Sequence, residues 1–293
     1  MSSISLQDWV GRQQQMHERL SEVPLRQMAA LLNDEPRMRE PLGPGPLPAG
    51  WHWLFFNPLQ VQQLLGPDGH PERGDFLPPV ALPRRMWAGS RLRWSRDFEA
   101  GMQVSKASEI VQVSEKAGRS GQIVFVTVRH RYADAGGEIL QEEHDIVYRE
   151  AASEAEAESL RQLGQQVRAG VHTFERQGQS TLTWRCDPVA LFRYSAATFN
   201  GHRIHYDADY CRQVEGYPGL VVHGPLLATL LMHWVQTQIA PGRALATFEF
   251  RALKPTFDIA GFHLHCTPEG EDLQVWTTNN IGQVGVDGRI RLR

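Results

Sequence analysis

The chain has 293 residues, of which 41% are hydrophobic and 22% charged, with a net charge of -3. That is enough for one large domain or two of ordinary size, with a sizeable core. A near-neutral balance with no long basic run argues against nucleic acid as a partner, and no apolar run reaches the roughly 18 residues that span a bilayer.

The three cysteines, Cys186, Cys211 and Cys266, show no Cys-x-x-Cys spacing and read as reduced thiols. The opening Met1 to Trp9 lacks a charged n-region and an apolar h-region, so no signal peptide is expected and the cytoplasm is the expected location.

In residues 5–33, Trp9, Val10, Met16, Leu20, Leu25, Met28, Leu31 and Leu32 recur at helical spacing, which predicts a helix broken or restarted at Pro24. Residues 34–50, with five prolines and three glycines, predict a linker. The short aromatic run Trp51 to Phe56 predicts a strand. Residues 66–83 read as loop.

Ile123 to Val128 predicts a central strand, joined through a turn at Asp134-Ala135-Gly136-Gly137 to further strand residues Ile139-Leu140 and Asp145 to Tyr148. Residues 149–170, rich in Ala, Glu and Arg, predict a solvated helical connector. Strands are then expected at 180–185, 244–251, 261–266, 273–277 and 283–286. Helices do not alternate with strands, so the chain reads as α+β. Its expected division is 1–150, 151–179 as connector, and 180–293.

One stretch concentrates the chemistry: Thr198-Phe199-Asn200-Gly201-His202-Arg203-Ile204-His205-Tyr206-Asp207, then Val221-Val222-His223-Gly224-Pro225-Leu226. From Pro225 to Gln238 the residues are apolar on nearly all faces, which predicts a buried helix. Pro225 suits the first helical position. The first N–H groups of that helix have no partner inside it and carry the positive end of the dipole. A glycine at such a mouth suits a carbonyl oxygen that gains negative charge. A plain capped core helix is the competing reading.

These residues resemble the MaoC-type hot-dog hydratases and dehydratases. His205-Tyr206-Asp207 matches the family's His-x-Asp, and Val221 to Leu226 matches its helix entry. Asn200 stands where the family carries an acid, and His202-Arg203 where it carries Asn-Pro. The subgroup most similar holds mitochondrial-type 3-hydroxyacyl-thioester dehydratases, mesaconyl-C4-CoA hydratases and itaconyl-CoA hydratases. Trp51-His52-Trp53, Gly66 to Pro71, Phe76 to Pro79, Arg84-Arg85-Met86-Trp87-Ala88-Gly89 and Lys116 to Gly121 look like its N-terminal segments. The resemblance implies a double hot-dog, two antiparallel sheets each wrapped round a helix, with a non-catalytic first half and a catalytic second half.

It also implies roles. His205 is the expected general base, and Asn200 holds the water, by its amide oxygen or as a donor, but cannot take a proton. His202 is the nearest alternative proton source, Asp207 a partner that orients His205, and the Gly224 N–H the site of the thioester oxygen. Arg203 and His223 are candidate substrate contacts. Arg84, Arg85, Lys116, Arg119, Arg251 and Lys254 are candidates for CoA phosphates or a substrate carboxylate, against a solvated charged face as the plain reading. Trp87 is a ligand contact or a core residue.

His202-x-x-His205 with Asp207 and His223 also has ligand-like spacing, but the resemblance implies no metal and no cofactor beyond the CoA of an acyl-CoA substrate. Open sheet edges make a homodimer the expected assembly. The expected activity is hydration of a short branched dicarboxylic enoyl-CoA. The alternatives are a (3R)-hydroxyacyl-thioester dehydratase of fatty-acid synthesis and an acyl-CoA thioesterase.

Overall fold

The first half of the chain holds five strands, β1 (Gln13–Arg19), β2 (Arg84–Trp94), β3 (Gln103–Gly118), β4 (Gly121–Asp134) and β5 (Gly137–Arg149), of which β4 alternates buried and more exposed residues most clearly. Five more follow: β6 (Ser180–Trp184), β7 (Leu245–Ala252), β8 (Phe262–Glu269), β9 (Asp272–Asn279) and β10 (Val284–Leu292). The computed structural model describes residues 5–39, 42, 45–118, 121–170 and 176–293. All ten strands join one antiparallel sheet in the order β1-β3-β4-β5-β2-β7-β10-β9-β8-β6.

The two groups of strands meet where β2 pairs with β7, with Ser90 opposite Phe250 and Leu92 opposite Phe248. Gly89 is required at this seam. A Cβ there would lie 2.2 Å from the Phe250 carbonyl oxygen. Period-two alternation puts Ser90, Leu92, Phe248 and Phe250 on a common inner face. In the first half one cross-strand row of that face runs Gln14, Ser108, His130, Glu142, Leu92, and the next includes Val128, His144 and Ser90.

Among the described residues there are six α-helices: α1 (Glu22–Leu31), α2 (Glu35–Arg39), α3 (Glu154–Ala169), α4 (Pro188–Ala197), α5 (Ala208–Gln213) and α6 (Gly224–Trp234). The expected buried helix is α6. Every residue from Leu226 to Trp234 except His233 is buried, and the helix lies against β9 and β10. The two halves differ in their helices. In the first half α1 packs on α2, α4 and the turn after Gly50, and the inner face of β3, β4 and β5 is left partly open. The expected connector is α3, capped by Ser153, whose Oγ accepts from the Glu156 N–H at 3.2 Å, and ended by Gly170 at φ 71°.

Two expectations are corrected. The helix over 5–33 is instead a 3-10 turn (Leu6–Trp9), the strand β1 and α1. Gln13 to Arg19 pair with β3 at the sheet edge, and Pro24 sits in the first turn of α1, where no backbone donor is needed. The strand at Trp51 to Phe56 is a 3-10 turn, Trp51–Leu54, entered through Gly50 at φ 85°. Trp51, Leu54, Phe55 and Phe56 are all buried. A strand would send alternate rings to opposite faces; the turn gathers them on one side. Within 34–50 the structure adds the short α2. Among the described residues no helix is long and apolar enough to cross a membrane.

Candidate active site

Local sequence explains how the polar cluster is held. Helix α4 begins at Asp187, whose side chain accepts from the Ala190 N–H at 2.8 Å, and ends as Phe199 takes a positive φ of 48°. Asn200 Oδ1 then accepts the His202 N–H at 3.0 Å, closing an Asx turn. A 3-10 turn over Arg203–His205 follows. Asp207 caps α5 by accepting the Tyr210 N–H at 2.9 Å, and its other oxygen takes the Arg203 fork at 2.8 and 3.1 Å. The segment before α6 is pinned on both sides: Val221 N–H donates to Ile204 O at 2.9 Å and Val222 N–H to Thr256 O at 2.8 Å.

This clamp aims the Val221 carbonyl at His205, whose Nδ1 lies 2.7 Å from it. A carbonyl only accepts, so His205 carries its proton on Nδ1 and leaves Nε2 bare. Burial pushes the His205 pKa down to about 4. The ring is therefore neutral at working pH and can accept a proton. Behind it His223 stacks with ring centroids 3.6 Å apart and planes at 17°, and His223 Nε2 meets Ser195 Oγ at 2.9 Å. His223 is fully buried and supports His205 from behind; it does not line the cleft.

Gly224 opens α6. Its N–H has no acceptor among the described residues, and a Cβ built on it would meet nothing within 4 Å. It faces a cleft of about 1710 Å³ that also takes in Asn200, His202, His205 and part of the first half's inner face. The site thus brings His205, Asn200, His202 and Gly224 together. It can hold a water at a neutral imidazole and an oxyanion at a helix mouth.

The structure adds a pair that sequence reasoning gave no role. His70 stacks on His202 with centroids 4.2 Å apart, and its Nδ1 lies 3.1 Å from Asp68 Oδ2. The carboxylate fixes Nδ1–H there also, leaving His70 Nε2 free. The loop carrying them docks tightly. Arg203 N–H donates to Asp68 O at 2.9 Å, and a Cβ on Gly69 would sit 2.0 Å from Gly201 O. The Asp68-Gly69-His70 run was visible, but its partner lies more than 130 positions along the chain. Asp68, His70 and His202 are also the one group among the described residues whose ligand atoms come within 4.8 Å of one another, close enough for a metal ion. The Asp68–His70 hydrogen bond accounts for part of that closeness.

Several expected roles are corrected. Asp207 does not orient His205; the Val221 carbonyl does, and Asp207 is committed to its cap and to Arg203. Arg203 is likewise committed, also donating to Pro67 O at 3.0 Å. Arg84 is buried in an ion-paired set, with Nε to Glu215 at 3.0 Å, Nη1 to Glu156 at 3.1 Å and Nη2 to the Tyr217 hydroxyl at 2.6 Å. Three of its five N–H donors are spent there, and the side chain is buried among those partners.

Arg251 is exposed, one residue out of phase with inward Phe250, so it lies on the outer face away from the cleft. Trp87 lines the cleft edge-on to Trp53 at 5.1 Å, with Nε1 donating to Gly89 O at 2.8 Å. Arg85 and Lys254 line the cleft, and among the described residues neither has a hydrogen bond or ion pair. Lys116 rests over the Phe125 ring at 5.2 Å. Arg119 lies outside the described residues.

Comparison with known proteins bears on the family and the fold. The family model described as hydroxyacyl-thioester dehydratase type 2 matches residues 50–258. The mesaconyl-C(4)-CoA hydratase of Chloroflexus aurantiacus is 39% identical over 293 residues, covering 100% of this chain and 99% of that protein. A solved MaoC-like dehydratase superposes with a TM-score of 0.69 at 15% identity, covering 99% of both chains. A Mycobacterium tuberculosis protein described as a double hotdog superposes at 0.57 and 13% identity, covering 97% of this chain and 96% of that one. The chain therefore belongs to the type 2 hydroxyacyl-thioester dehydratase family, MaoC-like hydro-lyases with the double hot-dog fold.

Proposed function

We propose that this protein adds water across the double bond of a short, branched dicarboxylic enoyl-CoA such as itaconyl-CoA or mesaconyl-C4-CoA. The observation that carries the reading is the 39% identity, end to end, with a mesaconyl-C(4)-CoA hydratase. In this reading the thioester oxygen sits at the Gly224 N–H, where the α6 dipole stabilises the enolate-like charge. A water lies between His205 Nε2 and the Asn200 side chain. Asn200 Oδ1 already accepts the His202 N–H, so the amide Nδ2 is the end that donates to the water.

With mesaconyl-C4-CoA, whose double bond is conjugated with the thioester, His205 Nε2 takes one proton from the water as its oxygen bonds to the β carbon. The π electrons move towards the thioester. The imidazolium then returns the proton to the α carbon. With itaconyl-CoA, whose double bond lies between the β carbon and its methylene, the proton goes to that methylene instead. One residue serves both steps, which accounts for an asparagine where the family carries an acid. The His70–Asp68 pair keeps His202 and the Asn200 turn in place. Lys254, exposed at the cleft mouth, receives CoA phosphates.

The family match itself supports one alternative, a (3R)-hydroxyacyl-thioester dehydratase acting on longer chains. A panel of itaconyl-CoA, mesaconyl-C4-CoA, crotonyl-CoA and a medium-chain trans-2-enoyl-CoA separates the two by loss of enoyl absorbance. The dicarboxylic thioesters should be consumed with the highest kcat/KM. Preference for the medium chain would replace this reading with the dehydratase one.

A further inference from the structure

The cations that line the cleft fall into two sets. Arg73, Arg84, Arg149 and Arg203 are spent on carbonyls or carboxylates. Arg85, Lys106 and Lys254 have no hydrogen bond or ion pair among the described residues. They differ in burial. Lys254 is exposed. Lys106 is half-buried on β3, its Nζ 5.6 Å from the centre of the Tyr132 ring. Of its two nearby acids, Glu142 has its oxygens occupied by Trp53 Nε1 at 3.1 and 3.3 Å, by Ser90 Oγ at 3.1 Å and by His52 Nε2 at 3.4 Å, and Glu18 accepts the Phe56 N–H at 2.5 Å. Arg85 is half-buried on β2, two residues before Trp87, whose ring lies 4.5 Å from His144.

Electrostatic reach separates the two inner cations. The Arg85 charge acts on His70 and His202, which stack at the reacting centre, and on His144. Lys106 acts on His52, His130 and His144, away from that centre. The chemistry of a short diacid decides between them. In itaconyl and mesaconyl-C4 thioesters the free carboxylate hangs on the carbon that gains the hydroxyl. Its receptor must stand beside the histidines that hold the water. Phosphates of CoA are the whole pantetheine arm away from that point.

We propose that Arg85 is the receptor for the free carboxylate of the acyl group and selects dicarboxylic over monocarboxylic thioesters. The planar fork matches a carboxylate with two parallel hydrogen bonds. Lys106, which lines the same cleft, disfavours a long alkyl chain, because burying its ammonium against hydrocarbon leaves it without a polar partner. The proposal rests on the dicarboxylic reading given above, and its test is chosen to fail separately.

Succinyl-CoA and butyryl-CoA have equal chain length, differ in a terminal carboxylate against a methyl, and have no double bond, so neither depends on turnover. Titration calorimetry on the full-length protein should show succinyl-CoA bound more tightly, on the order of 30-fold or more. Arg85→Leu should erase that preference and leave butyryl-CoA and free CoA binding unchanged. Arg85→Lys, the variant to use should Arg85→Leu unfold, should keep part of the preference. Equal binding of the two thioesters by the wild type would overturn the proposal. So would a preference that survives Arg85→Leu, or one abolished by Lys106→Met alone. A failed hydratase reading would show instead in the enoyl-CoA panel, with the binding preference still measurable.

Discussion

His205 donates Nδ1–H to the carbonyl of Val221 over 2.7 Å, sixteen residues on in the chain. That bond selects the tautomer, orients the ring and leaves Nε2 as the free atom. The same short segment continues directly into the mouth of α6 at Gly224. One stretch of backbone therefore sets both the proposed base and the proposed oxyanion donor, and their relative position does not depend on any long side chain.

Replacing His205 by Ala or Gln should lower kcat by about 10²- to 10⁴-fold, the ordinary worth of general acid–base catalysis. Circular dichroism should show the fold retained, since the backbone clamp does not use the imidazole apart from the Val221 contact. Steady-state hydration kinetics on the preferred enoyl-CoA check the loss.

Gly224→Ala separates binding of the oxyanion from stability. Its φ is ordinary and a Cβ there meets nothing within 4 Å, so the melting temperature should hold. If the thioester oxygen binds at this N–H as proposed, a methyl group at the helix mouth crowds it, and kcat should fall by about 10²-fold, comparable to loss of an oxyanion-hole donor. A thermal melt and a kcat measurement on the same preparation check both halves.

Replacing Asp207 by Ala removes a helix cap and the Arg203 ion pair together. Stability should drop, chiefly through the lost cap. Asp207→Asn retains capping and should recover most of it, while kcat stays within a few-fold of wild type in both variants. Denaturant titration with parallel kinetics tests this, and a large loss of kcat in the Asn variant would return Asp207 to the catalytic site.

The buried histidines set the pH behaviour. His205 is active when neutral, and its pKa of about 4 in the folded state lies below the usual 6.5. The acid limb of kcat/KM should therefore fall near pH 4. The same depression links to stability with a definite sign. Between pH 6.5 and about 4 the unfolded chain binds a proton that the folded chain refuses, so stability is lost as pH falls through that window. For His205 alone the loss is on the order of 3 kcal/mol. His144, also pushed to about 4 by burial, adds in the same direction. Urea titrations at pH 7 and pH 5 measure it.

Much of the site was legible because its main parts are contiguous. His205, Asn200 and Gly224 fall in one stretch of 25 residues, and a helix apolar on all sides announces its own burial. The strands from 123 to 148 and from 244 to 286 follow simple alternation. What escaped was tertiary or depended on parity. Gln13 to Arg19 form an edge strand with few apolar residues to mark it. His70 and Asp68 gain a role only because a distant glycine-rich loop docks on Gly201. Arg251 is turned outward by a single residue of strand phase. Asp207, so close to His205 in sequence, is taken by the start of the next helix.

The most direct test is hydration in oxygen-18 water. Mesaconyl-C4-CoA or itaconyl-CoA, incubated with the wild-type protein, should give a product carrying one labelled oxygen on the acyl carbon chain, with the thioester intact and no free CoA. His205→Ala should not form that product at a comparable rate. Label in a released carboxylate together with free CoA would mean attack at the carbonyl and a thioesterase, which contradicts the account.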